Sequence, residues 1–120
     1  MENKGDAFLG QCRISYFKKI TPANRLYFNT EEYLKLAEIA KAFFKEGKIE
    51  EFSGFFREGH YFVQLWAAHL ILEFGQPANS LKKQCIDIII EYSNHPIDHT
   101  IAVEEQNWLK ENSELIKNTG

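Results

Sequence analysis

The sequence predicts an all-α domain of five or six antiparallel helices, stacked as a solenoid or a bundle, on the strength of three observations. Residues 61–75 are apolar almost all round a helical wheel: Tyr61, Leu65, Ala68 and Leu72 share one face, and Val63, Trp66, Ala67, Leu70 and Phe74 cover another. Gln64, His69 and Glu73 are its only polar members, too few for a solvated side, so other helices must pack on at least two flanks. Apolar residues at three- and four-residue steps recur in the other segments, and strand signals are scarce. Helix-ending and helix-starting residues between these segments leave short links, which make sequence neighbours antiparallel.

In chain order, Phe8, Leu9, Cys12, Tyr16 and Phe17 set the inward arc of a first helix from Asp6 to about Lys19, with Asp6 as its cap. Thr21-Pro22 reads as a fresh start, a capping Thr followed by Pro at the first helical position. The segment from there to Gly47 carries Leu26, Tyr33, Leu36, Ala37, Ala40, Phe43 and Phe44 on one arc. Asn29 and Glu32 have capping-box spacing, so the part before Asn29 is open to being a separate turn, and Gly47 is the stop. A short aromatic helix over residues 48–57 leads to the central one, which Gly75-Gln76-Pro77 ends. A further helix starts near Pro77 or Asn79 with Leu81, Cys85, Ile88, Ile89 and Tyr92 inward, its spacing outweighing the strand-like Ile88-Ile89-Ile90 run. Asp98 caps a last helix to about Ile116, with Ile101, Trp108, Leu109, Leu115 and Ile116 inward. Residues 1–5 and 117–120 are expected to fray.

A chain of 120 residues is one domain, residues 1–120, long enough to bury roughly two thirds of its unfolded surface around a single core. Its ten Phe residues mean that large rings fill much of that core. The net charge of −3 gives no general attraction for phosphate backbones or anionic lipid, which excludes nucleic acid and membrane as expected partners. Seven carboxylates stand against two lysines after residue 83, so the C-terminal third is the acidic end. Cys12 and Cys85 lack ligand spacing and suit reduced thiols on apolar faces. With no signal-peptide layout and no apolar run near ~18 residues, a cytoplasmic location is expected.

The run Val63-Gln64-Leu65-Trp66-Ala67-Ala68-His69-Leu70 resembles the second helix of a HEAT-type repeat. Ala23-Asn24-Arg25-Leu26-Tyr27, followed by a long helix to Gly47, is similar to the opening of a family of small bacterial HEAT-like domains of uncharacterised function. The resemblance spans residues 23–74 and implies an α-α superhelix, with no activity to carry over. Gln64 stands where HEAT repeats usually have Arg, and Arg57-Glu58-Gly59-His60 stands in place of an Asp-containing turn.

Candidate functional residues divide into a surface set and a pocket set. Glu105 falls in the middle of the last helix's apolar arc, where an unpaired carboxylate is expensive. It belongs either to an internal pair, with Arg25, Arg13 or a histidine, or to a surface that receives a partner. Asn24 and Arg25 read as caps and ion-pair groups, or with Tyr27 and Phe28 as a contact surface. His69 reads as a core histidine bonded to Glu73 or to a backbone carbonyl. His95 and His99 have metal-like spacing, but Pro96 breaks the geometry and no third ligand is near, so no metal and no cofactor is expected. Signatures of phosphate-binding loops, nucleophile elbows and paired catalytic carboxylates are absent.

The expected function is protein–protein recognition, in its concrete form an immunity-type inhibitor that covers a basic toxin. Asp98, Glu104, Glu105 and Glu111 would mimic phosphates, and Asn24, Arg25, Tyr27 and Phe28 would complete the binding set. The alternative is a small-molecule binder or enzyme with an inter-helix pocket around His69, Glu73 and Glu105.

Overall fold

Seven α-helices and no strand make up the described residues 3–117 of the computed structural model. Helix α1 (Lys4–Phe17) opens on Asn3, whose Oδ1 accepts the Asp6 N–H at 2.8 Å. Asp6 is therefore a first-turn residue favoured by the helix dipole, and Asn3 is the cap. The inward face of α1 is Phe8, Gln11, Cys12 and Ser15, which leaves Tyr16 and Phe17 outside the core at 40% and 65% exposure. The buried face runs through Gln11 and Ser15, bonded to each other at 3.4 Å, rather than through Tyr16 and Phe17.

No helix starts at Thr21-Pro22. The Thr21 hydroxyl donates to Glu104 Oε1 at 2.8 Å instead of capping, and the chain makes only a 3₁₀ turn, Arg25–Tyr27, capped by Asn24. Leu26 on that turn is 83% exposed rather than part of an inward arc. Helix α2 (Glu31–Lys45) starts at Thr30, whose hydroxyl accepts the Tyr33 N–H, so the cap is one residue beyond Asn29. Gly47, at φ +73°, ends the segment in the left-handed region. Lys4 pairs with Glu46, and Lys18 with Glu32 at 3.2 Å, which ties opposite ends of α1 and α2 together and makes them antiparallel.

Short α3 (Ile49–Phe52) and a 3₁₀ turn (Ser53–Arg57) deliver the chain to α4 (Val63–Leu70), which passes into a π-helical turn, Ile71–Gly75. Tyr61 and Phe62 lie outside this helix in consecutive left-handed conformations, φ +54° and +58°. Helix α4 is the centre of the molecule: Val63 and residues 65–71 are all buried, with α1, α2, α5 and the Ser53–Arg57 turn packed around it. The expectation of a walled-in helix holds for this stretch.

Helix α5 (Asn79–Ser93) buries Leu81, Cys85, Ile86, Ile89 and Ser93, a face rotated slightly from the expected one, with Ile88 and Tyr92 at its half-buried margin. Helix α6 (His99–Glu111) is capped by Asp98, which accepts the Ile101 N–H at 3.0 Å. It stops at Asn112, whose side chain donates to the Trp108 carbonyl at 2.9 Å and competes with the helical ladder, so α7 (Ser113–Lys117) is separate. Lys4 and Gly5, expected to fray, are helical, and Lys117 belongs to α7; residues 1, 2 and 118–120 lie outside the described residues. Consecutive helices α5 and α6 pack together, as do α4 and α5. No helix among the described residues is long and apolar enough to cross a membrane.

Candidate functional site

Where α4 faces α6, a buried histidine meets a buried carboxylate. His69, near the end of α4, places Nε2 2.6 Å from Glu105 Oε1, with the imidazole 7% exposed and the carboxylate fully buried. The internal pair is thus made with a histidine, and neither Arg25 nor Arg13 is involved. Trp108, one turn further along α6, meets the imidazole edge to face at 5.0 Å. The second carboxylate oxygen, Oε2 of Glu105, is buried with no hydrogen-bond partner among the described residues, and so is Nε1 of Trp66. An unmatched buried polar atom costs about 1–3 kcal/mol, so this pair is not explained by stability alone.

His69 also forms part of the wall of a cavity of about 110 Å³ between the 3₁₀ turn, α2, the end of α4 and α6. Phe28, Tyr33 and Trp108 supply rings, Glu73 a carboxylate and Asn112 an amide. Phe28 stacks on Tyr33 with centroids 4.7 Å apart and planes at 28°. Burial, aided by the charge of Glu73, pushes the Tyr33 phenol up to about 12. Glu73 is solvent-exposed and stands at the mouth, so His69 does not bond to it as expected. Of the three expected pocket residues, His69 and Glu73 line the cavity, and Glu105 lies behind His69.

The surface set is dispersed and internally engaged. Glu104 accepts hydrogen bonds from Thr21 at 2.8 Å and from the Asn24 side chain at 2.7 Å, clamping the loop before the 3₁₀ turn. Arg25 pairs with Glu111 at 2.6 Å, while Asp98 serves as the α6 cap. Tyr27 and Phe28 are half-buried against the core rather than exposed. Glu105, wholly buried, is no member of an acidic surface. His95 is spent locally: its Nδ1 accepts the Ile97 and Asp98 N–H groups at 3.2 and 2.9 Å.

A second locus was not foreseen. Around the start of α4, Tyr16, Phe17, Tyr61, Phe62 and Tyr92 form a connected set of rings, with centroid separations of 5.2–6.0 Å. The Tyr16–Phe62 contact is the ridge between two hollows of about 350 and 410 Å³. Arg13 lies 6.0 Å from both the Phe17 and the Tyr61 ring centroids, and His60, His95 and Lys19 line the hollows. Two successive left-handed aromatic residues cost roughly 1–3 kcal/mol each, a conformation that persists only where surrounding packing enforces it. The sequence signal was present in Glu58-Gly59-His60, a turn that stops a helix from reaching back to Tyr61.

The thiols of Cys12 and Cys85 are buried and unpaired, and burial raises both, Cys85 to about 12. Neither suits a nucleophile. No family model, curated protein or solved structure matches this chain.

Proposed function

We propose that the protein is a protein-recognition module whose docking surface is the aromatic ridge of Tyr16, Phe17, Tyr61 and Phe62. The observation that carries this is the exposure of Phe17, at 65%, within a contiguous ring cluster held by a strained backbone. Large exposed rings beside hollows are the usual anchors of recognition surfaces, and strain gathers where binding uses it. Arg13 beside the Phe17 and Tyr61 rings, and Lys19 in a hollow that Asp98 also lines, favour a partner segment that pairs aliphatic side chains with a carboxylate. HEAT-like stacking is the finer architectural reading that accompanies this function, supported by the packing of consecutive helices around α4.

The immunity-type reading, in which the acidic third covers a basic toxin, is the rival placement of the same activity. It is less favoured because Glu104, Glu111 and Asp98 already have partners within the chain and Glu105 is buried. Site-specific photo-crosslinking in cells separates the two, with the reactive group placed at position 17 in one protein and at position 111 in another. The ridge predicts one partner captured from position 17, and about tenfold weaker binding of that purified partner to Phe17→Ala. Capture from position 111 alone, with binding lost in Glu111→Gln and kept in Phe17→Ala, would assign recognition to the acidic face instead.

A further inference from the structure

We infer that the cavity between the 3₁₀ turn, α2, α4 and α6 is a binding site for a methylated ammonium group, caged by Phe28, Tyr33 and Trp108 with Glu73 at its mouth. Three features of the cavity lead to that chemistry.

The first is charge. Among the described residues no lysine or arginine lines the cavity, while Glu73 lines it and Glu105 lies directly behind His69. The sign does not depend on where the His69–Glu105 proton resides. With a protonated imidazole and an ionised Glu105 the pair is neutral, and Glu73 leaves the site at −1; with a neutral imidazole and ionised Glu105 the site is at −2. A proton on Glu105 beside a neutral imidazole again leaves −1. A cation is favoured in every case, and an anion in none.

The second is the wall. Aromatic faces attract cations through the ring quadrupole, and cages of aromatic residues with an acidic rim are how proteins hold quaternary ammonium groups. Phe28 and Tyr33, stacked at 4.7 Å, and Trp108, set edge to face against His69, all line the cavity. The Glu105–His69 contact at 2.6 Å fixes the imidazole on which Trp108 rests, so His69 and Glu105 act as positioning residues for the cage. This supplies a reason to keep a carboxylate oxygen buried without a partner.

The third is size. A cavity of about 110 Å³ matches the share of liquid volume of roughly four waters, far below the ~300 Å³ of a site for a drug-sized ligand. A trimethylammonium head fits that volume, and the rest of the molecule extends past exposed Glu73 into solvent. The head can belong to a free small molecule or to a methylated lysine side chain, which present the same group.

The test uses the intact chain and three probes: choline, its neutral carbon isostere 3,3-dimethylbutanol, and a short trimethyllysine peptide. Binding is followed by NMR at the Trp108 indole N–H. Saturable shifts with choline, and binding about tenfold weaker for the isostere, are expected, because the positive charge is what the cage reads. Glu73→Gln and Phe28→Leu should each weaken choline by about tenfold, with Lys83→Gln, on α5, unchanged. Tighter binding of the peptide than of choline assigns the head to a protein side chain, and the reverse assigns it to a small molecule. Equal binding of choline and its isostere, or no saturable shift at Trp108 with either ammonium probe, would overturn the inference. Because Phe17→Ala leaves this cavity intact, unchanged choline binding in that variant keeps the result independent of the aromatic ridge.

Discussion

At the residue scale, the most informative group is Glu105. Its position in an apolar arc was legible from spacing, but its partner was not, because His69 lies 36 residues away on another helix. Glu105→Ala should remove about 3 kcal/mol of stability, since it strips His69 of its bond and leaves a void beside it. Glu105→Gln, which keeps the size and an acceptor, should cost less than half as much; paired urea denaturations measure both. The thiols give a second residue-scale expectation. Neither Cys12 nor Cys85 should react with a disulfide reagent in the native protein, and both should react once it is unfolded. Burial pushes the Cys85 thiol up from 9.0 to about 12 in the folded chain. Folded and unfolded states are therefore alike below pH 9, and above it only the unfolded chain ionises, so stability should fall as pH rises from 9 toward 12. A denaturant midpoint that stays level across that window would contradict burial of these thiols.

At the scale of elements, helix boundaries follow from local caps more than from hydrophobic arcs. Thr30 and Gly47 bracket the segment that contains α2, one through its hydroxyl and the other through a left-handed backbone. Thr30→Ala and Gly47→Ala should each lower stability by about 1 kcal/mol, the first by freeing the Tyr33 N–H and the second by forcing a Cβ into positive φ. Both can be read as shifts in the thermal midpoint. The Thr21-Pro22 start failed for a tertiary reason: Glu104 on α6 claims the hydroxyl that would have capped it. The same carboxylate holds Asn24, so one α6 side chain sets the path of a loop roughly eighty residues earlier. The inward face of α1 departs from the apolar spacing because Gln11 and Ser15, polar in composition, are buried and hydrogen-bonded to each other at 3.4 Å. Their burial turned Tyr16 and Phe17 outward and created the ridge on which the proposed recognition rests.

For the molecule as a whole, the packing of α1, α2 and α5 on α4 leads to the expectation of a single cooperative unit. Leu65 is fully buried, on a helix that touches α1, α2 and α5. Leu65→Ala should cost about 2–5 kcal/mol and lower one shared transition rather than split it. Far-ultraviolet circular dichroism and tryptophan fluorescence should give coincident melting curves, because buried Trp66 and the helices lose their packing together. Separate transitions for the two signals would mean that α4 does not unite the domain. The acidic bias of the C-terminal third, visible in composition, proves mostly local in use: Asp98 caps α6, and Glu104 and Glu111 bind Asn24 and Arg25. Net charge therefore describes this molecule's field better than its contacts.

The sequence by itself determined the helical class, the stop at Gly47, the cap at Asp98 and the central buried rod, because period, cap and turn chemistry act over a few residues. Tertiary structure alone decided the histidine that faces Glu105, the groups that Glu104 clamps, and the outward turn of Tyr16 and Phe17. Those outcomes depend on which distant side chains meet when helices pack at close density, and no local pattern encodes a meeting between positions that far apart in the chain.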